Sequence, residues 1–179
     1  MLAVSNSIRR SLTPAHASGR RCPRVSGVSE SGPVEQIDRR ILELLATDGR
    51  MSYTDLGKAT GLSTSAVHQR VKRLEKRGLI LGYGAAINHA DLGLPLTALI
   101  SIRPIDPSQP DDCPERLEGI AEIESCWSVA GQESYVLKVR TGTPVELEEL
   151  LARIRAAANV STRTTIVLST YYENRPVTG

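Results

Sequence analysis

The segment from Tyr53 to Ile80 constrains the fold of this chain more than any other part of the sequence. Ser52 stands immediately before this segment, and Asp55 stands three residues after Ser52. This is the spacing of a capping box at a helix N-terminus. Gly61 stands where the chain has to reverse, and glycine adopts the positive φ that such a turn requires. The pattern predicts two short helices joined by a tight turn.

The second of these helices has an apolar stripe along one side. Ser63 is its expected N-cap, and Val67, Val71 and Leu74 repeat at helical spacing. Gly78 follows the stripe and is expected to end the helix. The spacing therefore predicts that these three aliphatic side chains are buried.

The opposite side of this helix predicts a DNA-reading surface. Small polar groups at its N-terminal end suit base edges in a major groove, and the cations farther along suit phosphates. A row of arginines flanks the buried stripe, and for Arg70 an ion pair inside the domain is the alternative interpretation. Because a capped helix and a glycine turn precede it, we favour a helix-turn-helix that binds DNA. The candidate DNA contacts are Ser63, Thr64, Ser65, His68, Gln69, Arg70, Lys72, Arg73 and Lys76.

Charge is distributed unevenly along the chain. Residues 33–89 hold nine Lys and Arg against six Asp and Glu, whereas residues 90–179 hold eight against thirteen. This contrast is expected of a DNA-facing domain followed by a domain that avoids DNA. The chain has one Trp, five Tyr and no Phe. This scarcity of aromatic residues argues against a domain that binds single-stranded nucleic acid by stacking its bases on aromatic rings.

Residues 1–32 are rich in Ser, Arg, Gly and Pro and contain a single acidic residue. A transit peptide, a disordered basic tail and a stretch added by a wrongly chosen start codon all share this composition. The segment lacks a clean apolar stripe, which weakens the transit interpretation. We treat it as a disordered tail outside the fold.

The cysteines and histidines show no metal-ligand spacing, so neither a metal, a cofactor nor a disulfide framework is expected. No apolar run approaches the length that spans a bilayer. The sequence predicts a cytoplasmic protein with no membrane partner.

The rest of the chain divides around this motif. Apolar spacing from Val34 to Leu45 predicts a first helix, which completes a three-helix unit over residues 33–80. Residues 81–93 are predicted as a linker strand, residues 94–173 as a second domain and residues 174–179 as a C-terminal tail.

The second domain has the predicted order strand, helix, strand, strand, helix, strand. Strands are predicted over residues 96–102, 124–130, 135–140 and 162–171. One helix is expected from Pro114, with Ala121 facing inward, and the other from a capping box at Thr143. The fold class is therefore α+β, with an N-terminal helix-turn-helix (winged-helix-like) domain and a C-terminal ferredoxin-like βαββαβ domain.

Helices cover only one face of such a sheet. Several apolar side chains are expected on the other face: Leu99, Trp127, Val136, Val167 and Tyr171. An open apolar face usually marks a contact with another subunit, so we predict a homo-oligomer.

Four pieces of the sequence, spanning about residues 34–172, resemble the Lrp/AsnC family of transcription regulators, also called feast/famine regulators. They are IDRRILELLATDGR, GLSTSAVHQRVKRLEKRGLILGYGAAIN, VAGQESYVLKV and TRTTIVL, in this order. The resemblance implies an N-terminal helix-turn-helix, a linker strand and a C-terminal domain that binds a small effector, usually an amino acid. It also implies dimers formed through the C-terminal sheets and, often, an octameric ring of dimers.

The same resemblance implies an effector pocket between dimers, built around the loop that joins the second and third strands of the C-terminal domain. The family pattern is a Gly, two variable residues, an Asp and an aromatic. Here Ser134 replaces the Asp, which would pair with an amino-acid ammonium group that Ser only hydrogen-bonds. Glu133 offers a charge, although neighbouring strand residues point in opposite directions. The candidate effector-binding residues are Gly131, Gln132, Glu133, Ser134, Tyr135, Thr162 and Thr164.

No histidine has a fixed nucleophile partner, so the sequence does not predict an enzyme. We predict a sequence-specific, DNA-binding transcriptional regulator that responds to a small effector, in the first place an amino acid. The alternative is an architectural DNA-binding protein of the same fold without an effector, and Ser134 keeps that alternative open.

Overall fold

The computed structural model describes residues 33–106, 108 and 111–176, so the predicted tail 1–32 lies outside the described residues. Three helices come first, α1 (Gln36–Thr47), α2 (Tyr53–Thr60) and α3 (Thr64–Lys76). They pack around one apolar cluster, which contains all three residues of the predicted α3 stripe. The buried members of this cluster are Ile41, Leu56, Val67, Val71 and Leu74.

Local signals set the ends of α2 and α3. The Oγ atom of Ser52 accepts a hydrogen bond from the Asp55 backbone N–H at 3.1 Å, and the Oγ atom of Ser63 accepts one from the Ala66 N–H at 3.2 Å. Gly61, between the two helices, has a φ of +71°. These features confirm the predicted caps and the predicted glycine turn.

The linker differs from the prediction. Residues 81–88 form neither helix nor strand, because a strand needs a hydrogen-bonding partner and no described segment of this chain pairs with them. Tyr83 instead anchors the run to the helical unit. Its hydroxyl donates to the Glu75 Oε1 atom at 3.0 Å, and its ring lies beside Gly49.

The second half of the chain confirms the predicted βαββαβ order. Strands β1 (Leu96–Pro104), β2 (Ile123–Ser128), β3 (Tyr135–Thr141) and β4 (Val160–Val167) form one antiparallel sheet in the order β2-β3-β1-β4. Its helices are α4 (Cys113–Leu117) and α5 (Pro144–Ala158).

Two elements end well before residues that we had placed in them. The helix α4 ends at Leu117, so Ala121, which we expected to face inward, is exposed. The strand β4 ends at Val167 rather than at Tyr171, and the side chain of Tyr171 is 91% exposed. β-Branched spacing alone does not show where pairing with β1 stops, and that pairing ends at the Thr97–Val167 partners.

Both helices pack on the same face of the sheet. Ile100 of β1 lies opposite Leu137 of β3 and Thr164 of β4, and directly opposed residues share a face. This face forms the second apolar core with α4 and α5. Its fully buried aliphatic side chains include Ala98, Ile100, Ile102, Leu137, Val139, Leu150 and Ile154.

The open face combines apolar residues with a network of charges. The strand register places Leu99, Trp127, Val136 and Val167 on it, as predicted. The charged members include Lys138 and Arg140, which bind Glu124 and, beyond β4, Glu173. These ion pairs hold the segment after β4 against the sheet.

Candidate nucleic-acid interface and effector cleft

The N-terminal end of α3 presents small polar groups to solvent. Thr64, Ser65 and Gln69 are exposed, and the Oγ atoms of Ser63 and Ser65 are 3.1 Å apart. Ser63 uses its side chain to cap the helix. Thr64, Ser65 and Gln69 therefore have side chains available for the edges of bases, at the end of the helix that a helix-turn-helix inserts into the major groove.

His68 continues this surface one turn along α3. Its ring packs against that of Tyr53, with 5.1 Å between centroids and 56° between planes. Tyr53 is the first residue of α2, and we did not predict a role for it. The contact restricts the direction of the imidazole and adds an aromatic hydroxyl beside the candidate DNA surface.

Two lysines extend the exposed face toward the C-terminal end of α3. Lys72 and Lys76 are exposed. Within the part of the chain that the structure describes, neither lysine has an ion-pair partner. Their ammonium groups are therefore available to phosphates.

Arg70 and Arg73, which were predicted as DNA contacts, both form ion pairs inside the three-helix unit. The Arg70 Nη1 atom lies 2.8 Å from the Asp38 Oδ1 atom, and the Arg73 Nη2 atom lies 2.7 Å from Asp38 Oδ2. Both guanidinium groups also reach Glu35, at 2.8 and 3.3 Å. These contacts fix α3 against the start of α1, which was the alternative interpretation for Arg70.

We call these ion pairs of Arg70 and Arg73 with Asp38 and Glu35 the brace. Asp38 is at its centre and is fully buried. Burial by itself raises the pKa of the Asp38 carboxyl, but the hydrogen bonds from Arg70 and Arg73 outweigh it and hold the pKa below its usual range. We did not single out Asp38 in the sequence. The available signal was its position three residues before Ile41, on the apolar stripe of α1.

Tyr135 was predicted to close the apolar side of an effector pocket, and within a single chain its side chain lies in the core. Its ring is buried in the core between the sheet and the helices. Its hydroxyl donates to Asp111, and burial together with this bond raises the pKa of the phenol. The side chain faces inward because Tyr135 pairs with Ile102, which is also a core residue.

Three of the other predicted effector residues line one cleft of about 150 Å³ beside β4. These are Gln132, Glu133 and Thr162, and the lining also includes Arg103 and Arg163. Glu133 forms an ion pair with Arg163. Thr162 also accepts a hydrogen bond from the Arg155 guanidinium at 3.2 Å. The cleft therefore brings together groups of both charges.

The remaining predicted effector residues lie outside that lining. The backbone of Ser134 is engaged in pairing, since its N–H donates to the Ile102 carbonyl and its carbonyl accepts from the Val129 N–H, both at 3.0 Å. Thr164 lies opposite Ile100 on the helix-covered face. At Gly131, a Cβ atom would meet no atom of the described residues within 4 Å, its two chain neighbours aside, so this position is open on its side-chain side.

Metal sites and membrane-spanning helices were sought in residues 33–106, 108 and 111–176. In these ranges no three Cys, His, Asp or Glu side chains come together in a way that could hold a metal ion. None of the helices found there combines the length and apolarity needed to cross a membrane.

Family profiles match both halves of the chain. The profile described as AsnC-type helix-turn-helix domain matches residues 35–75, and the one described as Lrp/AsnC ligand binding domain matches residues 97–177.

Relatives match over most of their length. The chain is 54% identical over 142 residues to the HTH-type transcriptional regulator LrpA of Mycobacterium tuberculosis, covering 79% of this chain and 95% of that protein. It is 36% identical over 140 residues to the leucine-responsive regulatory protein of Haemophilus influenzae, covering 75% and 84%.

Two solved structures extend the comparison to three dimensions. A feast or famine regulatory protein from M. tuberculosis, complexed with L-methionine, superposes with a TM-score of 0.81 at 52% identity, over 82% of this chain and all of that one. The structure of Escherichia coli AsnC superposes with a TM-score of 0.72 at 27% identity, over 82% and 99%.

Proposed function

Since the chain belongs to the Lrp/AsnC family of transcriptional regulators, we propose that it is a sequence-specific regulator that responds to an amino acid. In this proposal α3 reads double-stranded DNA, the cleft beside β4 belongs to the effector site, and the working protein is a cytoplasmic homo-oligomer. The observation that carries the effector role is the cleft, which joins Gln132, Glu133 and Thr162 with two arginines.

The division of the two basic rows on α3 supports DNA reading. Arg70 and Arg73 are bound to carboxylates of α1, whereas Lys72 and Lys76 face solvent. The brace holds the helix in place while the second row stays available to phosphates. The exposed Ser65 and its neighbours then supply base contacts.

A structure at 52% identity, whose protein is described as complexed with L-methionine, supports an amino-acid effector. Serine at position 134 removes the carboxylate that the family pattern supplies, and the Ser134 backbone is already hydrogen-bonded within the sheet domain. We expect weak binding, with Kd of about 0.1–10 mM, because a neutral hydrogen bond contributes less than a charge-assisted one.

Exposed apolar side chains support a homo-oligomer. Trp127 lies on the open face of the sheet and is 48% exposed, whereas α4 and α5 cover the opposite face. Leu168, Tyr171 and Tyr172 beyond β4 are more exposed still. We propose a dimer formed through this surface, and an octamer built from four dimers, as the assembled state.

The DNA-reading role is tested on a DNA site that the unmodified protein selects from random sequence. Lys72→Ala should weaken binding to all sequences and reduce the slope of log K against log salt by about one. Ser65→Ala and His68→Ala should instead change which bases are preferred. The matched control is Arg40→Ala, since Arg40 is an exposed cation on α1 that binds Glu43, and its slope should stay unchanged.

Normal affinity and sequence preference in a combined Ser65, His68 and Lys72 alanine variant would show that α3 is not the reading helix.

A thermal-shift screen of the twenty amino acids distinguishes an amino-acid-responsive regulator from an architectural DNA-binding protein. A protein that binds its DNA but is stabilised by none of them has no amino-acid effector.

A further inference from the structure

We propose that Tyr83 in the linker and Tyr53 at the start of α2 set the sequence preference of α3 by holding the His68 ring in one direction. Neither tyrosine is a predicted DNA contact, and both act through His68 as positioning residues. The inference rests on the proposed role of α3 in reading DNA. It adds a route from the linker to one of the base contacts.

The contact between the rings of Tyr53 and His68 carries the first step. Their centroids are 5.1 Å apart and their planes are tilted by 56°, a geometry in which aromatic rings attract each other. His68 is partly buried, whereas Ser65 and Gln69 on the same helix are exposed. A hydrogen bond to a base edge requires a defined direction of the donor or acceptor. The base preference of His68 therefore depends on a side chain of α2.

A cavity borders Tyr53 and gives its ring an alternative place. Its volume is about 270 Å³, and Tyr83 lines it together with Leu45, Gly49, Arg50, Met51, Ser52 and Tyr53 itself. The Tyr53 side chain is 37% exposed, so the apolar core of the three-helix unit does not enclose it. A ring with open space beside it changes rotamer unless a neighbouring group restricts it.

Tyr83 supplies this restriction from the linker. A Cβ atom at Gly49 would lie 3.8 Å from the Tyr83 Cδ1 atom, and the Tyr83 hydroxyl donates to the Glu75 Oε1 atom at 3.0 Å. Partial burial and this bond raise the pKa of the Tyr83 phenol to about 12, with a smaller contribution from Tyr53. The hydroxyl therefore keeps its proton at neutral pH, and the ring stays beside Tyr53.

The linker can release Tyr83 without disturbing the core of the three-helix unit. Tyr83 is 45% exposed and does not belong to the apolar cluster of that unit. Gly82 and Gly84 stand on either side of it, and glycine gives the backbone unusual conformational freedom. Since the linker leads from α3 to β1, a displacement of the linker moves Tyr83 out of the cavity. Tyr53 is then free to leave His68.

The test measures the DNA sequence preference of the full-length protein. A DNA site that the unmodified protein selects from random sequence is compared with its single base-pair variants, and His68→Ala identifies the positions that depend on the imidazole. Tyr83→Ala should relax the preference at the same positions by roughly three- to tenfold. The slope of log K against log salt should stay unchanged, because no phosphate contact is lost. Tyr53→Ala should have an equal or larger effect.

Conservative and combined variants distinguish positioning from general stabilisation. Tyr53→Phe keeps the ring beside His68 and should retain the preference, whereas Tyr83→Phe loses the bond to Glu75 and should show an intermediate loss. Tyr83→Ala combined with His68→Ala should relax the preference no further than His68→Ala alone, because both changes act on one contact. A merely structural role for Tyr83 would give additive losses instead.

The matched control is Leu81→Ala. Leu81 is a large apolar residue of the same linker, is 69% exposed and lies outside the lining of the cavity. Its base preference should equal that of the unmodified protein. Circular dichroism and light scattering verify that each variant keeps the fold and the oligomeric state of the unmodified protein.

The possible outcomes separate this inference from the proposed function. If His68→Ala relaxes the preference but Tyr83→Ala and Tyr53→Ala do not, the tyrosines do not position His68, and α3 remains the reading helix. The inference is also overturned if Tyr83→Ala weakens binding to all sequences equally, or if Ser65→Ala changes the preference and His68→Ala does not. If the alanine variants of Ser65, His68 and Lys72 all bind like the unmodified protein, α3 does not read DNA, and this inference fails with the proposed function.

Discussion

The brace beneath α3 and the ion pair beside β4 use the same chemical groups in opposite surroundings. Asp38 is fully buried and binds both Arg70 and Arg73, whereas Glu133 binds an arginine that is largely exposed. A carboxylate without access to water depends on its partners, but a solvated carboxylate exchanges them at little cost. Burial, rather than residue type, thus makes one arrangement structural and the other replaceable.

The largest expected effect comes from removing the buried charge. Asp38→Asn should lower the stability of the three-helix unit by roughly 2–3 kcal/mol, because the side chain loses its charge and an NH2 donor replaces one of its two acceptor oxygens, although both guanidinium groups can still reach water and Glu35. Hydrogen exchange of the α3 backbone amides measures this free energy directly. DNA affinity should fall with it, since α3 loses its fixed position.

Glu133→Gln is the matched control, because it removes the equivalent carboxylate from the exposed pair. Protection of α3 should be unchanged in this variant. Equal protection of α3 in Asp38→Asn and in the unmodified protein would mean that the brace contributes nothing to the fold, and the contrast between the two regions would disappear.

Acid pH should reproduce part of the Asp38→Asn effect without a mutation. The pKa of Asp38 in the folded protein lies below its ordinary value of 3.8, against the effect of burial, because Arg70 and Arg73 donate to the carboxylate. Its contribution to stability is therefore present above pH 3.8 and is lost as the pH falls through the folded pKa. Protection of α3 should decline below this pH.

The same titration of Asp38→Asn isolates the contribution of this group. The decline below pH 3.8 should be shallower in the variant, because residue 38 no longer binds a proton on unfolding. Parallel curves for the two proteins would assign the acid sensitivity to other carboxylates.

Local rules explain which features the sequence predicted. Ser52, Gly61 and Ser63 act on residues within one turn of themselves, so their spacing is sufficient to place α2 and α3. The Asp38 brace joins residues more than thirty positions apart, and the spacing within α3 does not distinguish an arginine that pairs with Asp38 from a lysine that faces solvent.

The sheet domain shows the same limit. Alternation and turn signals predicted the order of its elements, and the fold class followed from that order. The direction of Tyr135 depends on its pairing with Ile102 across β1 and β3, which is a non-local contact. The motif around the β2–β3 loop therefore indicated which residues lie near the candidate cleft, but it did not indicate that the Tyr135 side chain points into the core.

The smallest expected effect completes the comparison. Arg163→Gln should change the stability of the sheet domain by less than about 0.5 kcal/mol, because an exposed ion pair contributes little. Trp127 is the only tryptophan and lies in β2, so its fluorescence during urea unfolding reports on this domain alone. Arg153→Gln is the matched control, because Arg153 forms a comparable exposed ion pair with Glu122 in the same domain, and it should behave in the same way. A loss in Arg163→Gln as large as that of Asp38→Asn would make the Glu133 pair structural, and exposure to solvent would then not explain the difference between the two arrangements.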